Sequence, residues 1–452
     1  MEKMNHFLMG RELLLSELNE DFLKEGNGIT SNGFIEVGQQ QTCRRCGSNQ
    51  LKDRQAAPCT CGKNCFYCIR CLQMGKIKRC STLYHVPEKN QFISIKEPIL
   101  TWQGQLSQQQ ALASKEIETT IKTGQTRLIW AVAGAGKTEM LFKGIEWAIR
   151  SGKRVCIASP RTDVCLELAP RLKSAFQQVE QITLYGEMEG GYNYTQLVIA
   201  TTHQLMRFRE AFDVLIIDEI DAFPFDTDKA LQFAAQKAKK TTGTIIYLSA
   251  TPNKQMRQDI AQKKLTASVL PARYHGFALP EPKAIWAGDW RKSILKRHKK
   301  AVIFKEIQRL LQANRRFLVF VPNIELMLEF SCCLTEFFPN SSFTSVSSED
   351  EQRKEKVQKM RDESYQFMLT TTILERGVTF RDIDVLVLGA EDRTFTEAAL
   401  IQIAGRVGRH RDFPTGEVRY LHYGQTKALK NAITQIKKMN KLARERGLLI
   451  GK

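Results

Sequence analysis

The 452-residue chain reads as an α/β protein, with two tandem parallel-sheet lobes behind a small cysteine-rich module that has the make-up of a zinc-binding unit. Three observations predict this. From residue 98 onward, short apolar runs of buried-strand length alternate with helical patterns, the signature of βα units. One strand-to-helix turn is a glycine-rich loop ending in Lys-Thr. Eight of the twelve cysteines fall between Cys43 and Cys80, ahead of both lobes. The divisions this suggests are a leading segment at 1–42, a zinc module at 43–97, a first lobe at 98–280 and a second at 281–452 with a basic tail. A chain of this length holds about three domains, each able to bury a core.

The leading segment shows a leucine-rich helical pattern (Leu13, Leu14, Leu15, Leu18) broken by Gly26, Gly28 and Gly33, and no chemistry is assigned to it. Its apolar start is interrupted by Arg11-Glu12 and followed by Glu17, Glu20 and Asp21. That is not a signal peptide, so the expectation is a cytosolic protein with reduced thiols.

The cysteines run Cys43-x2-Cys46, Cys59-x-Cys61, Cys65-x2-Cys68-x2-Cys71 and Cys80. Each Cys-x2-Cys turn places two thiolates on one edge of a tetrahedron, and two such turns complete a structural zinc site. Cys43, Cys46, Cys68 and Cys71 form the leading quartet. Cys59, Cys61, Cys65 and Cys80 are enough for a second ion, although spacing alone does not fix the pairing. Arg44, Arg45, Lys52, Arg54, Lys63, Arg70, Lys76, Lys78 and Arg79 face only Asp53 in charge; such a module either touches nucleic acid or serves as a solvated staple. The remaining cysteines, Cys156, Cys165, Cys332 and Cys333, sit in apolar contexts and read as core.

In the first lobe, Gln110 opens a helix 27 residues before Lys137. Its amide suits an adenine edge, and a polar helix start is the equal alternative. The stretch Arg127–Thr138 then supplies an apolar run (Leu128 to Val132), the small residues Ala133, Gly134, Ala135 and Gly136, then Lys137-Thr138 and a helical pattern from Glu139 to Ile149. Strand, glycine-rich turn and helix make a phosphate-binding loop. Lys137 is placed for the β- and γ-phosphates of ATP and Thr138 for Mg²⁺. Ala131 stands where the P-loop pattern has its first glycine. The strand Val155–Ser159 ends in Ser-Pro-Arg161, and a strand at Val198–Ala200 runs into Thr201-Thr202. Strand ends of this kind gather on the ligand edge of a parallel sheet, so Arg161 and Thr202 are candidate nucleic-acid phosphate contacts.

Next, the apolar strand Val214–Ile217 ends in Asp218-Glu219-Ile220-Asp221. Adjacent carboxylates after a buried strand are costly unless a cation offsets them. Asp218 fits a water-mediated Mg²⁺ ligand and Glu219 the group that orients and deprotonates the attacking water. Ser249-Ala250-Thr251 closes the next strand, in a position to couple hydrolysis to lobe movement.

Pro271, Pro280 and Pro282 mark a linker running into a basic helix, Arg291-Lys292 and Lys296–Lys300. The second lobe has no P-loop of its own. It offers Thr370-Thr371-Thr372-Ile373-Leu374-Glu375-Arg376-Gly377-Val378 and Gln402-Ile403-Ala404-Gly405-Arg406-Val407-Gly408-Arg409. Thr372 is a further candidate phosphate contact. Arg406 and Arg409, three apart on a helix, would share one face and reach toward a γ-phosphate. The tail from Thr426 to Lys452 carries eight basic residues against Glu445 alone and has a helical pattern.

Lys and Arg number 67 against 48 Asp and Glu, a net charge of +19, which argues for a polyanionic partner. No apolar run reaches the roughly 18 residues of a membrane span.

The ordered set Ala-x2-Gly-x-Gly-Lys-Thr, Asp-Glu-x-Asp, Ser-Ala-Thr and Gln-x2-Gly-Arg-x-Gly-Arg resembles superfamily 2 helicases over residues from about 100 to 425. That resemblance implies two RecA-like lobes. Gln402 and Asp-Glu-Ile-Asp lean towards DNA motors. With Cys-x-Arg-Cys-Gly and Cys-Gly-Lys-x-Cys-x-Tyr-Cys-x-x-Cys in front, the chain looks like the late competence ATPase family, ComFA. The resemblance implies a cytoplasmic motor, peripheral at the membrane, that pulls single-stranded transforming DNA inward. Its implied partners are the membrane DNA channel and a small phosphoribosyltransferase-like competence protein. The primosomal helicase differs because its cysteines interrupt the second lobe. A repair-type helicase and an ATP-switched clamp that does not translocate are the other readings.

Overall fold

The computed structural model describes residues 7–19, 28–62, 64–186, 191–375 and 378–450. Gly26, Glu20, Asp21, Lys63, Arg376, Gly377 and Lys452, all named above, lie outside them. The chain divides into two compact units: Met1–Trp130 with Lys137–Val269, and Ala131–Gly136 with Leu270–Lys452.

The first unit holds the cysteine module and the first lobe together. β1 (Glu12–Leu14), β7 (Thr82–His85) and β2 (Ile29–Asn32) form an antiparallel sheet in that order. β3 (Phe34–Val37) with β4 (Gln40–Cys43), and β5 (Arg54–Ala56) with β6 (Phe66–Cys68), are two short ribbons that carry cysteines at their ends. The leucine-rich start is therefore a strand followed by a 3-10 turn (Leu15–Glu17), not a helix. The run is short, and its leucines bury themselves by pairing with β7, with Leu13 opposite Tyr84 and Leu14 opposite Leu83.

The first lobe is a seven-stranded sheet in the order β10-β11-β9-β12-β13-β8-β14. Its strands are β8 (Thr126–Ala131), β9 (Val155–Ser159), β10 (Gln181–Leu184), β11 (Leu197–Thr201), β12 (Phe212–Ile217), β13 (Lys239–Ser249) and β14 (Thr266–Leu270). From β10 to β8 the pairings are parallel. Parallel strands are covered on both faces, which is why β9 and β11 are buried at every position. The helices are α1 (Gln108–Thr123), α2 (Phe142–Arg150), α3 (Thr162–Ala175), α4 (Lys229–Ala238) and α5 (Lys254–Ala261). The helix after the P-loop begins at Phe142, with Glu139–Leu141 wound as a 3-10 turn.

The second unit has a six-stranded parallel sheet in the order β15-β20-β19-β16-β18-β17. Its strands are β15 (Lys283–Trp286), β16 (Phe317–Phe320), β17 (Phe343–Val346), β18 (Phe367–Thr370), β19 (Asp384–Leu388) and β20 (Val418–His422). Its helices are α6 (Trp290–Leu295), α7 (Val302–Gln312), α8 (Ile324–Phe337), α9 (Arg353–Arg361), α10 (Glu397–Ala404) and α11 (Lys427–Glu445). One core face joins Phe317, Val319, Leu369 and Leu386 to Phe304 and Ile307 of α7 and Phe330 of α8. The basic helix expected after the prolines covers only Trp290–Leu295; the lysines from Lys296 onward lie in turns. Cys156, Cys165 and Cys333 are buried as expected, but Cys332 is exposed, because the turn of about 100° per residue along α8 carries it out of the face that buries Cys333.

Candidate functional site

In the phosphate loop, Gly134 and Gly136 take φ of +82° and +71°, conformations that side chains other than glycine adopt at a cost. The loop is braced within the second unit: the Val132 N–H donates to Leu270 O (3.1 Å) and the Tyr274 N–H to Gly134 O (3.0 Å). Ala133 and Ala135 are buried. On the first unit, Lys137 Nζ lies 3.2 Å from Asp218 Oδ1. Burial pulls the amine's pKa down, but Asp218, Glu219 and Asp221 outweigh it and raise the pKa, so Lys137 stays a cation. Thr138 is buried beside it.

Asp218 and Glu219 follow β12 directly. Asp218 Oδ1 also accepts the Glu219 N–H (2.8 Å), and Glu219 sits at φ +55°. That backbone conformation is strained for a glutamate. Asp221 is held at both oxygens, by Ser249 Oγ and Thr251 Oγ1 at 2.6 Å each. The carboxylate motif and the Ser-Ala-Thr motif are thereby one hydrogen-bonded element.

Gln110 closes a capping box: its Oε1 accepts the Ser107 N–H (2.8 Å) at the start of α1. Arg161 follows β9 and makes a bidentate pair with Asp163, at 3.0 and 2.9 Å. Thr202 is fully buried; this corrects its expected role, because a side chain with no exposed surface offers a nucleic-acid strand nothing to touch. Thr372 opens a half-buried 3-10 turn after β18.

Arg406 and Arg409 do not lie on a helix, which is a second correction. α10 ends at Ala404, Gly405 caps it, and Gly408 turns the chain at φ +67°. Arg406 is buried and donates to the carbonyls of Glu375 (Nε, 3.0 Å) and Val378, fastening the segment that carries Thr372. Arg409 donates from Nε to Gly405 O (3.1 Å) and its Nη1 reaches Thr379 Oγ1 (3.5 Å). Sequence reasoning missed Arg273, which is buried and donates to the carbonyls of Gly408 (2.5 Å) and Val407 (2.7 Å). Burial and neighbouring Arg409 draw its pKa down to about 9. Arg273 fixes the turn that presents Arg409, and no motif marks it.

The cysteines sort into two quartets, Cys43, Cys46, Cys68 and Cys71, and Cys59, Cys61, Cys65 and Cys80, each with its sulfurs within 4.8 Å of one another. Sulfur separations are 3.6 Å for Cys43–Cys71, 3.5 Å for Cys46–Cys68 and 3.6 Å for both Cys59–Cys80 and Cys65–Cys80. A zinc ion with Zn–S bonds of about 2.3 Å demands edges of about 3.8 Å, so both donor sets fit. The first quartet is buried and the second is partly open. The Cys61 N–H leads the groups that draw the Cys59 thiol down to about 7.

Much of the module's positive charge is spent internally. Arg45 is fully buried on Met74 O (2.5 Å), and Arg79 pairs with Glu36 (2.7 Å). The module is also fused to the first lobe. Arg154 and Glu88 pair at 2.6 Å with neither side chain exposed. Lys237 of α4 pairs with Glu12 (2.6 Å) and Arg70 with Asp228 (3.7 Å), the residue that caps α4. Gly47, at φ +72°, lies so close to Phe233 of α4 that a Cβ there would be 2.6 Å from the ring.

P-loop, carboxylate pair, coupled hydroxyls and arginine turn on two parallel-sheet units define a superfamily 2 ATP-hydrolysing enzyme. Residues 103–254 match the type III restriction enzyme res subunit model and residues 299–411 the helicase conserved C-terminal domain. Dbp5 from S. cerevisiae, bound to RNA and ADP BeF3, superposes with a TM-score of 0.51 at 12% identity, over 74% of this chain and 92% of that one; this shows the RecA-like fold. Residues 1–85 match the competence protein ComFA N-terminal domain. Competence protein ComFA of Bacillus subtilis is 43% identical over 98% of this chain and 96% of its own length. Its Streptococcus pneumoniae counterpart is 39% identical over 89% and 90%. The chain belongs to the ComFA family, and so is a competence-related DNA helicase and ATPase. Among the described residues, no helix is long and apolar enough to cross a membrane.

Proposed function

We propose that the chain is an ATP-driven translocase that draws single-stranded transforming DNA into the cell, working at the inner face of the cytoplasmic membrane. The observation that best supports this is the Lys137–Asp218 pair at the end of β12, a phosphate-binding amine held ready beside the carboxylates that serve hydrolysis. The backbone of Ala133 to Gly136 cradles the phosphates, and Lys137 takes the β- and γ-oxygens. Thr138 and Asp218 would hold Mg²⁺, which would supply neutralisation and polarisation of the phosphates. Glu219 orients and deprotonates the water, and Arg409 meets the charge developing on the γ-phosphate. Arg406 keeps the Thr372 segment in register with that turn. Gln110 serves the adenine edge from its capping position. Arg161, once exchanged from Asp163, and Thr372 take strand phosphates.

Two zinc ions hold the cysteine module, one on each quartet. Family membership supports the membrane DNA channel and a small phosphoribosyltransferase-like protein as partners. The test is ATPase rate with single-stranded DNA, duplex DNA and RNA, each at two salt concentrations. Stimulation by single-stranded DNA above the others is expected. A rate indifferent to all three removes the translocase.

A further inference from the structure

A cavity of about 340 Å³ lies in the first unit where the N-terminal strand meets the segment after β11, and the ATP chemistry makes no use of it. Arg11 lines it. The backbone of Arg11 is pinned by a bridge to Phe208 and by a hydrogen bond between its carbonyl and His85 Nδ1 (3.0 Å). The residue as a whole is only 7% exposed. The guanidinium rests on the rings of Tyr192 (4.2 Å) and Phe7 (5.3 Å). Among the described residues its Nε has no hydrogen-bond partner and no carboxylate lies within ion-pair distance.

Arg207, on the same cavity, also has a buried Nε without a partner. Its Nη2 lies 3.5 Å from Glu17. Glu17 is already engaged by the Leu14 N–H (2.9 Å) and by Arg45 (3.7 Å). Among the described residues, Arg207 thus shares Glu17 with Arg45, and Arg11 has no carboxylate within ion-pair distance. Burial, the larger influence, draws the Arg11 pKa down to about 10. A buried cation without a counter-charge is costly unless an anion completes it, and the planar fork of Arg matches phosphate oxygens.

The ligand class follows from the walls. Arg11 covers the rings of Tyr192 and Phe7, and the half-buried Tyr185 on the same wall offers a ring on which a base can stack; forked cations beside such a ring suit a phosphate attached to a base. Gln204 and Arg207, which line the cavity, form the 3-10 turn just past β11 and the buried Thr202. We infer that this cavity is a nucleotide-phosphate site in which Arg11 and Arg207 take the phosphate and the aromatic wall takes the base. The source is either a nucleotide of the moving strand, which rests on the function proposed above, or a free mononucleotide.

The test uses the full zinc-loaded chain, with Arg11→Met to remove the charge and Arg11→Lys to restore it. Affinity for a single-stranded oligonucleotide is measured against salt, and the melting midpoint is measured with and without dAMP or inorganic phosphate. If the strand supplies the phosphate, Arg11→Met flattens the log–log salt slope by about 0.7, the loss of one phosphate contact, and Arg11→Lys recovers it. If a free nucleotide supplies it, dAMP or phosphate raises the midpoint of the wild type and not that of Arg11→Met. Either result supports the site. Equal slopes together with equal midpoint responses overturn it. Should Arg11→Met not fold, Arg207→Gln, whose side chain is 31% exposed, gives the same two readings. A wild type that binds no single-stranded DNA refutes the translocase, and the midpoint measurements still judge the cavity. ATPase without DNA is unchanged in every variant.

Discussion

Replacing Arg154 with methionine tests whether the cysteine module and the first lobe fold as one body. Arg154 reaches Glu88 (2.6 Å), Met9 O (3.1 Å), Thr195 O (3.1 Å) and the Tyr192 hydroxyl (2.5 Å). Both members of its ion pair are 0% exposed. Methionine keeps much of the volume but leaves Glu88 charged and buried with the Tyr194 hydroxyl as its remaining side-chain partner. Breaking one side of such a pair costs about 3–5 kcal/mol. At about 2–4 °C per kcal/mol for a unit of 150–250 residues, the melting midpoint of the first unit falls by about 6–20 °C. Scanning calorimetry in zinc-replete buffer measures it. Glu88→Gln lowers the midpoint as well, and the double change Arg154→Met with Glu88→Leu costs less than the sum of the single changes, because no charge is then stranded. A midpoint within about 2 °C of wild type for Arg154→Met, under one kcal/mol on the same scale, refutes the reasoning.

Further outcomes concern the site itself. Lys137→Ala and Arg409→Ala reduce ATP turnover on the order of 10³-fold or more, and Glu219→Gln keeps nucleotide binding while losing turnover; wild-type turnover in Lys137→Ala would end the ATPase assignment of these residues. Protein purified without chelator carries two zinc ions, and Cys43→Ser with Cys46→Ser releases one; structural zinc supplies about 10–16 kcal/mol in small modules, and elemental analysis that finds no metal contradicts this. Because Gly47 and Arg70 seat the module on α4, the same double change also lowers the melting midpoint of the first lobe, although Lys137 is far from Cys43 in sequence. Affinity for single strands falls with salt at a log–log slope of about −0.7 per phosphate contacted, and a slope near zero is inconsistent with backbone tracking.

The lobes were legible because buried parallel strands are continuous apolar runs. Val155–Ser159 was found to the residue. The N-terminal strand was misread because three leucines in a row carry no period; only pairing with β7 decides their conformation. The arginine turn was misread for a related reason, since spacing places Arg406 and Arg409 on a helix but Gly405 ends it. Thr202 shows the limit of strand-end reasoning, which identifies an edge but not which hydroxyl reaches solvent. Arg11, Arg154 and Arg273 left no local trace at all. Apart from Phe7, their partners are carbonyls, rings and carboxylates far away in the chain, which a linear pattern does not encode.

The seating of the module on α4 bears on how the motor can be cut. Its motifs begin near Gln110, so a shortened chain starting at about residue 100 keeps every conserved-looking signature of an ATPase. Such a fragment would nonetheless lose Glu88, Glu12 and Gly47 together. Arg154 and Lys237 would become stranded cations, and Phe233 would lose its cover at the helix that follows the Asp218–Asp221 carboxylates. Inactivity or aggregation in that fragment would then report a wound in the first lobe, and should not be read as a missing DNA-binding arm.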